Sequence, residues 1–318
     1  MSEQESKYIG KPSRDSYGIT LLELAEEDER IVALTADLAS SVRMVEFKKQ
    51  FPDRMFNMGI AEQNMMGASA GLALAGKVPF VSTFAVFASL RAAEQARTDV
   101  AYNNLPVRIC SSHGGFGLAV GGATHHAIED VAIYRNMPNM TVVVPADSVQ
   151  AAAATRAIVG LPGPVYMRLS RPKEPTVYRT DRPFVVGKAD VVRQGKDATI
   201  IAFGGSVGYS IMAAEQLVAD GIDLRVVNMA TIKPIDREAI VTAARETGAI
   251  MTVEEHSING GLGSAVAEVL AESGLGIRFK RHGVLDTFTT AAPYEELLGY
   301  YELDAKGIAK NVKAFLGS

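Results

Sequence analysis

The chain holds no tryptophan and a single cysteine, Cys110, among its 318 residues. One thiol excludes an intramolecular disulfide framework and any metal site built on several cysteines, and its apolar setting predicts a core residue. Strong charge of either sign is also missing, since 32 Lys and Arg stand against 36 Asp and Glu, a formal balance of -4. With no basic run, there is no electrostatic footprint for nucleic acid or for an anionic membrane. No apolar stretch is long enough to span a bilayer, and no amino-terminal segment has the charged, apolar, small-residue order of a signal peptide. These absences point to a soluble, cytoplasmic protein whose partners are small molecules or other proteins.

What the chain does have is apolar residues, 47% of the total. At this length one core rarely organises everything, so two domains are expected, and the apolar excess suits an oligomer. Residues 16–30 pattern as an amphipathic helix, with Arg14 ahead of it in an unpatterned start. Apolar runs at 31–36, 78–84, 107–111, 141–145 and 164–169 read as strands separated by helices, which predicts an α/β domain with a parallel sheet. Residues 170–183, rich in proline and charge, separate a first domain at 10–180 from a second, smaller α/β domain at 190–318. There, strands at 198–203, 224–229, 249–253 and 277–283 alternate with helices at 207–220, 237–247 and 263–272. The turn from Gly204 to Gly208 lacks the G-x-G-x-x-G spacing of a dinucleotide fingerprint.

Residues 57–71 are the stretch around which the first domain is organised. Glu62 stands in the first turn of a helix that is otherwise nearly all small or apolar, with Gly67, Ala68, Ala70 and Gly71. Small residues let another backbone approach, so Glu62 is expected at the mouth of a tight, intermolecular interface. An acid there also complements the helix dipole, and the segment alone does not separate the two readings. Asp37 ends the first strand, where parallel sheets place ligand-binding loops. Phe84 and Phe87 are expected to open a helix, with their rings one turn apart, a spacing that core packing also produces. Residues 113–126 carry three of the five histidines and five glycines. A metal site on His113, His125 and His126 is disfavoured, because no nearby carboxylate or cysteine is free to close it. Residues 254–263 form a second glycine-rich strand-to-helix junction, readable as a tight turn.

In their order and spacing, Gly59-Ile60-Ala61-Glu62-Gln63-Asn64-Met65, Ser82-Thr83-Phe84-Ala85-Val86-Phe87, and Thr124-His125 followed by Ile128-Glu129-Asp130 resemble the pyrimidine-binding half of transketolases. Residues 190–318 resemble the C-terminal domain of the same family. The resemblance implies a thiamine diphosphate-dependent transferase that moves a two-carbon ketol unit from an anionic ketose to an aldose. In that family the carboxyl matching Glu62 hydrogen-bonds the cofactor's aminopyrimidine and makes the cofactor's own amine the base. Phe84 and Phe87 match rings around the pyrimidine, and Asp37 matches an acid on the thiazolium side. His113 and His125 match histidines that contact donor oxygens in acid/base or orienting roles. Arg14, Ser41 and Arg171 match positions that hold the distal phosphate of the sugar, and a guanidinium suits a bidentate anion contact.

Three departures sharpen this. The family's diphosphate and its Mg2+ or Ca2+ are held by an N-terminal domain marked by Gly-Asp-Gly, a tripeptide this chain lacks. The resemblance therefore implies a partner subunit, a transketolase N-terminal section, in an α2β2 assembly with each cofactor between chains. Leu90 replaces a third ring. Gly121 replaces an acid that binds a donor hydroxyl, so the donor is expected to differ from xylulose 5-phosphate, with branched or sulfonated sugars as candidates. Two other readings stand beside transketolase: a different thiamine diphosphate reaction, of the 2-oxo acid dehydrogenase β-subunit or deoxyxylulose phosphate synthase kind, and a non-catalytic interaction protein.

Overall fold

The structure, a computed structural model, describes residues 4–317. The first half runs α1 (Ser13–Glu27), β1 (Ile31–Thr35), α2 (Val45–Gln50), β2 (Met55–Asn57), α3 (Glu62–Leu74) and β3 (Val78–Ser82). It continues through α4 (Ala93–Gln95), set between the π-helical turns Phe87–Arg91 and Ala96–Ala101, then β4 (Arg108–Ser111), α5 (Asp130–Arg135), β5 (Thr141–Val143), α6 (Ser148–Val159) and β6 (Val165–Arg168). The second half contains β7 (Asp190–Arg193), β8 (Ala198–Ala202), α7 (Ser206–Leu217), β9 (Leu224–Asn228), β10 (Thr231–Lys233) and α8 (Arg237–Thr247). It closes with β11 (Ala249–Ser257), α9 (Leu262–Glu272), β12 (Arg278–Val284), α10 (Tyr294–Tyr300) and α11 (Ala305–Gly317).

Two sheets result, ordered β10-β5-β6-β4-β3-β1-β2 and β12-β11-β8-β9-β7. Every residue of β1, β3 and β8 is buried, because helices cover both faces, and this is why these strands read as unbroken apolar runs. Where helices start, short acids secure them: Asp147 accepts from the Gln150 amide and Asp236 from the Ala239 amide.

The halves are less separate than the proline-rich segment suggests. β10 leaves the second half and pairs antiparallel with β5, adding an edge to the first sheet. Beneath it Met140 and Val144 share one core cluster with Phe203, Val227 and Met229. β7 and β10 escape the sequence reading because both are short edge strands held by partners distant in the chain. The helices α10 and α11 were also not expected, although Ile308, Val312 and Phe315 bury one face of α11 at helical spacing.

Parallel register does the positioning. Thr35 lies opposite both Asn57 and Ser82, Phe84 bridges to Ser112, and Ser111 lies opposite Arg168. The carboxyl ends of β1, β2, β3, β4 and β6 therefore open along one edge, where α/β sheets present their ligand-binding loops.

Candidate functional site

That edge gathers the residues singled out from the sequence. α1 begins at Ser13, so Arg14 sits in a first helical turn rather than in an unpatterned tail. Its Nη1 donates to the Ser41 carbonyl at 2.9 Å and faces His113 Nε2 at 3.4 Å. A guanidinium can only donate, so Nε2 is the acceptor, and Nδ1–H is left to donate to Ser112 Oγ at 2.7 Å. Burial first, then the charges of Arg14, Arg171, Arg43 and His125, lower the His113 pKa to about 3 and keep its ring neutral. Arg171 is exposed and, among the described residues, makes no hydrogen bond or ion pair, which leaves its guanidinium available to a ligand. Arg43 pairs with Asp15 at 2.7 Å.

Asp37 lies at the end of β1 with φ 60°, held by a reciprocal pair with Asn57 at 2.9 and 3.0 Å. Arg43, His113 and Ala119 also carry positive φ on this side of the molecule. Non-glycine residues in that region cost energy and concentrate at functional sites.

Phe84 does not begin a helix as expected. It extends β3 by one bridge to Ser112, and the helical turns start after it. The two rings nonetheless stack, centroids 5.7 Å apart at 23°. The His113 ring packs on Phe84 at 4.0 Å, and His125, bonded to Thr124 Oγ1 at 2.9 Å, meets Phe87 edge-on at 5.4 Å. Both histidines thus border one aromatic pair. Glu62 is 1% exposed within the single chain, so its burial needs no partner. Its Oε2 accepts from Arg91 Nη1 at 2.8 Å, and the Arg91 guanidinium lies 4.3 Å over the Phe87 ring. Arg91 was missed from sequence, although its place four residues after Phe87, on the same helical face, was the available signal.

The histidine loop is set by contacts with both halves. A Cβ on Gly114 would come within 2.1 Å of Arg168, and one on Gly115 within 2.1 Å of Glu255, so only glycine lets the loop pass. Glu255 accepts from the Phe116 amide at 2.5 Å and from Tyr294 at 2.7 Å, while Arg168 donates to the Glu255 carbonyl at 2.8 Å. His126 turns inward, with Nε2–H on the Ala119 carbonyl and Nδ1 on Thr289 Oγ1. It is a loop anchor, distinct from His113 and His125. At Gly121 a Cβ would lie 2.9 Å from the Leu118 side chain and 3.1 Å from His125 Cβ, so the missing acid leaves no vacant space behind.

A buried acid joined through Arg91 to two stacked rings suits an aminopyrimidine, whose ring nitrogen can share a proton with the acid and whose flat face suits the aromatics. These residues fit that half of thiamine diphosphate. Among the described residues no three His, Cys, Asp or Glu side chains converge as a metal site.

Fold and site define a pyrimidine-binding α/β domain joined to a second, smaller α/β domain. Residues 11–176 match the family model for the transketolase pyrimidine-binding domain, and residues 187–308 match that for the transketolase C-terminal domain. The chain belongs to the transketolase family. It is 44% identical to a putative transketolase C-terminal section of Methanocaldococcus jannaschii, over 96% of each chain. It is 43% identical to the 6-deoxy-6-sulfo-D-fructose transketolase subunit SqwH of a Clostridium species, over 93% of this chain and 92% of that one. A subunit of the apulose-4-phosphate transketolase of Phocaeicola vulgatus is 42% identical, over 95% of this chain and 97% of that one. Among solved structures, a split gene transketolase described as an inactive beta4 tetramer superimposes with a TM-score of 0.90 and 48% identity, covering 97% of this chain and 99% of that one.

Proposed function

We propose that this chain is the pyrimidine-binding subunit of a two-chain transketolase, moving a two-carbon ketol unit from an anionic ketose to an aldose. The observation that carries the reading is Glu62, a buried carboxylate joined through the Arg91 guanidinium to the stacked Phe84 and Phe87, on the edge that also holds His113, His125 and Arg14. Thiamine diphosphate, when bound, supplies the nucleophilic carbon and the electron sink. Glu62 would hold the aminopyrimidine ring nitrogen through a proton shared between them, and Phe84 and Phe87 would pack on the ring and exclude water from it. Neutral His113, with its proton on Nδ1, would present Nε2 as a hydrogen-bond acceptor to a donor hydroxyl once Arg14, which now faces Nε2 at 3.4 Å, turns to the distal anion, a role that a protonated ring could not fill. His125, less buried, reaches the same face from the other side. Arg14 and Arg171, with Ser41, form the end that receives the distal anion.

Gly121 supplies no acid to a donor hydroxyl, and Leu118 lies against it. A sulfonated or branched ketose is therefore proposed as donor, in keeping with the sugars named for two of the relatives. The diphosphate and its Mg2+ or Ca2+ are proposed to be held by an N-terminal-section partner in an α2β2 complex, located in the cytoplasm. Among the described residues no helix is long and apolar enough to cross a membrane.

The test is native mass spectrometry of the chain purified gently from its own cells. A second subunit with bound thiamine diphosphate is expected, and the complex should then transfer ketol units in a screen of anionic ketose donors. Carbon dioxide from pyruvate would replace this reading with a decarboxylating one. A chain that assembles only with itself and takes up no cofactor would make it a binding or regulatory protein. Within the active complex, Arg171→Ala should raise KM for the anionic donor about 10- to 100-fold with kcat little changed, as loss of a charged hydrogen bond of about 1.5 to 3 kcal/mol dictates.

A further inference from the structure

We propose that Arg91 is a latch that occupies the pyrimidine position in the cofactor-free chain and has to swing out before the cofactor's ring can bind. The proposal rests on the functional reading above and goes beyond it, because it assigns to this chain a device that makes cofactor binding conditional.

The geometry is that of a surrogate. A bound aminopyrimidine must meet Phe87 through its flat face and Glu62 through a nitrogen. Arg91 already does both, its planar guanidinium 4.3 Å over the Phe87 ring and its Nη1 2.8 Å from Glu62 Oε2. A guanidinium is flat, weakly hydrated and able to stack while donating, and so imitates the ring better than lysine or glutamine would. Two flat groups cannot share one face of Phe87 and one approach to Glu62.

The latch also explains how Glu62 tolerates burial. At 1% exposure an unpaired carboxylate would be strongly destabilising, and Arg91 is its sole hydrogen-bond partner among the described residues. Arg91 itself is free to leave. Its side chain is 44% exposed and, among the described residues, has no ion pair or hydrogen bond other than that to Glu62. It stands at the end of the π-helical turn Phe87–Arg91, whose widened winding is a departure from regular helix that recurs at functional sites. Swinging outward exchanges one contact to Glu62 for water, while the incoming ring keeps Glu62 paired. With the latch shut, Arg91 balances the Glu62 charge; with the ring in place, one proton taken up from solvent is shared between the Glu62 carboxyl and the ring nitrogen, so no buried charge is left unpaired, and the apparent cofactor affinity is reduced by the fraction of molecules in which the latch is shut.

Isothermal titration of the partner-bound complex with thiamine diphosphate and Mg2+ tests this. A latch closed about nine-tenths of the time predicts that Arg91→Met tightens the dissociation constant about 10-fold. In the free chain the same variant should melt below wild type, and Glu62→Gln added to it should restore the melting temperature. Should Arg91→Met fail to fold, Arg91→Lys keeps the charge but cannot lie flat on Phe87, and should tighten binding by a smaller factor. Unchanged or weaker binding by these variants, in a complex whose wild type binds, overturns the latch alone. A wild-type complex that takes up no thiamine diphosphate overturns the functional reading and the latch with it.

Discussion

Each half of the molecule ends a strand in a glycine-containing turn and opens a helix beside a buried glutamate, and the two junctions differ in what holds the acid. In the second half, Glu254 accepts from the Leu262 and Gly263 amides at 2.8 Å each, and a Cβ on Gly261 would lie 2.2 Å from its Oε2. Those donors are the otherwise unpaired amides at the start of α9 and cannot leave without unwinding it. In the first half, Glu62 is in the first turn of α3 but turns to a partly exposed side chain, Arg91, which itself lies over an aromatic ring. An acid bound by backbone is committed to structure. One bound by a side chain that can move is available to a ligand, and residue type, burial and glycine content alone do not tell the two apart.

The largest expected effect breaks the comparison on the Glu62 side. Glu62→Gln should lower kcat of the assembled enzyme by about 10²- to 10⁴-fold, the range for loss of a positioned acid/base group, with assembly by native mass spectrometry unchanged. Near-normal turnover would place Glu62 in the same structural class as Glu254. The converse substitution, Glu254→Ala, should cost about 2 kcal/mol of stability in denaturant unfolding by stripping two helix-start amides of their acceptor, with little change in activity per folded molecule.

Titration sharpens the contrast further. Burial raises the Glu254 pKa to about 7, above its ordinary 4.5. Between those values the folded state binds more protons than the unfolded one, so this group's contribution is full below pH 4.5 and is lost as pH rises through 7. His113 has the opposite sign: with its pKa at about 3 against 6.5, its contribution is full above pH 6.5 and is lost as pH falls toward 3. Melting temperatures of Glu254→Gln across pH 4.5 to 7.5 should therefore decline less with rising pH than those of wild type. An equally steep decline would assign the slope to other acids with raised pKa values, of which the half-buried Glu174, raised by desolvation to about 8, is the first candidate. The smallest effect is at Leu90, 55% exposed in the π-helical turn that Phe87 opens. Leu90→Tyr should tighten cofactor binding a few-fold, matching the roughly 0.5 to 1.5 kcal/mol of an added aromatic contact, without moving the melting temperature.

Much of this site is legible in the residues themselves. Asp37 and Glu62 stand just past apolar runs, and the glycine-rich segment brackets His113 and His125, because strand ends and loops have local signatures. Arg14 reads as part of a tail because α1 starts under a proline, Pro12, whose side chain offers no cap to read. The helix expected from Phe84 starts after it because one more residue pairs with β4. Gly121 reads as a lost acid, and the structure adds that the Leu118 side chain and His125 Cβ crowd that position.

The sequence by itself determined the alternation of strands and helices, the acid at the head of α3, and the lack of a Gly-Asp-Gly segment, since each is a property of neighbouring residues. Only the tertiary structure decided that β10 crosses to the first sheet, that Arg168 and Glu255 anchor the histidine loop, and that Arg91 meets Glu62 across 29 positions of chain. The physical reason is that local periodicity specifies which face of an element is buried. Which side chains meet on that face depends on sheet register and helix packing, set by many distant contacts together.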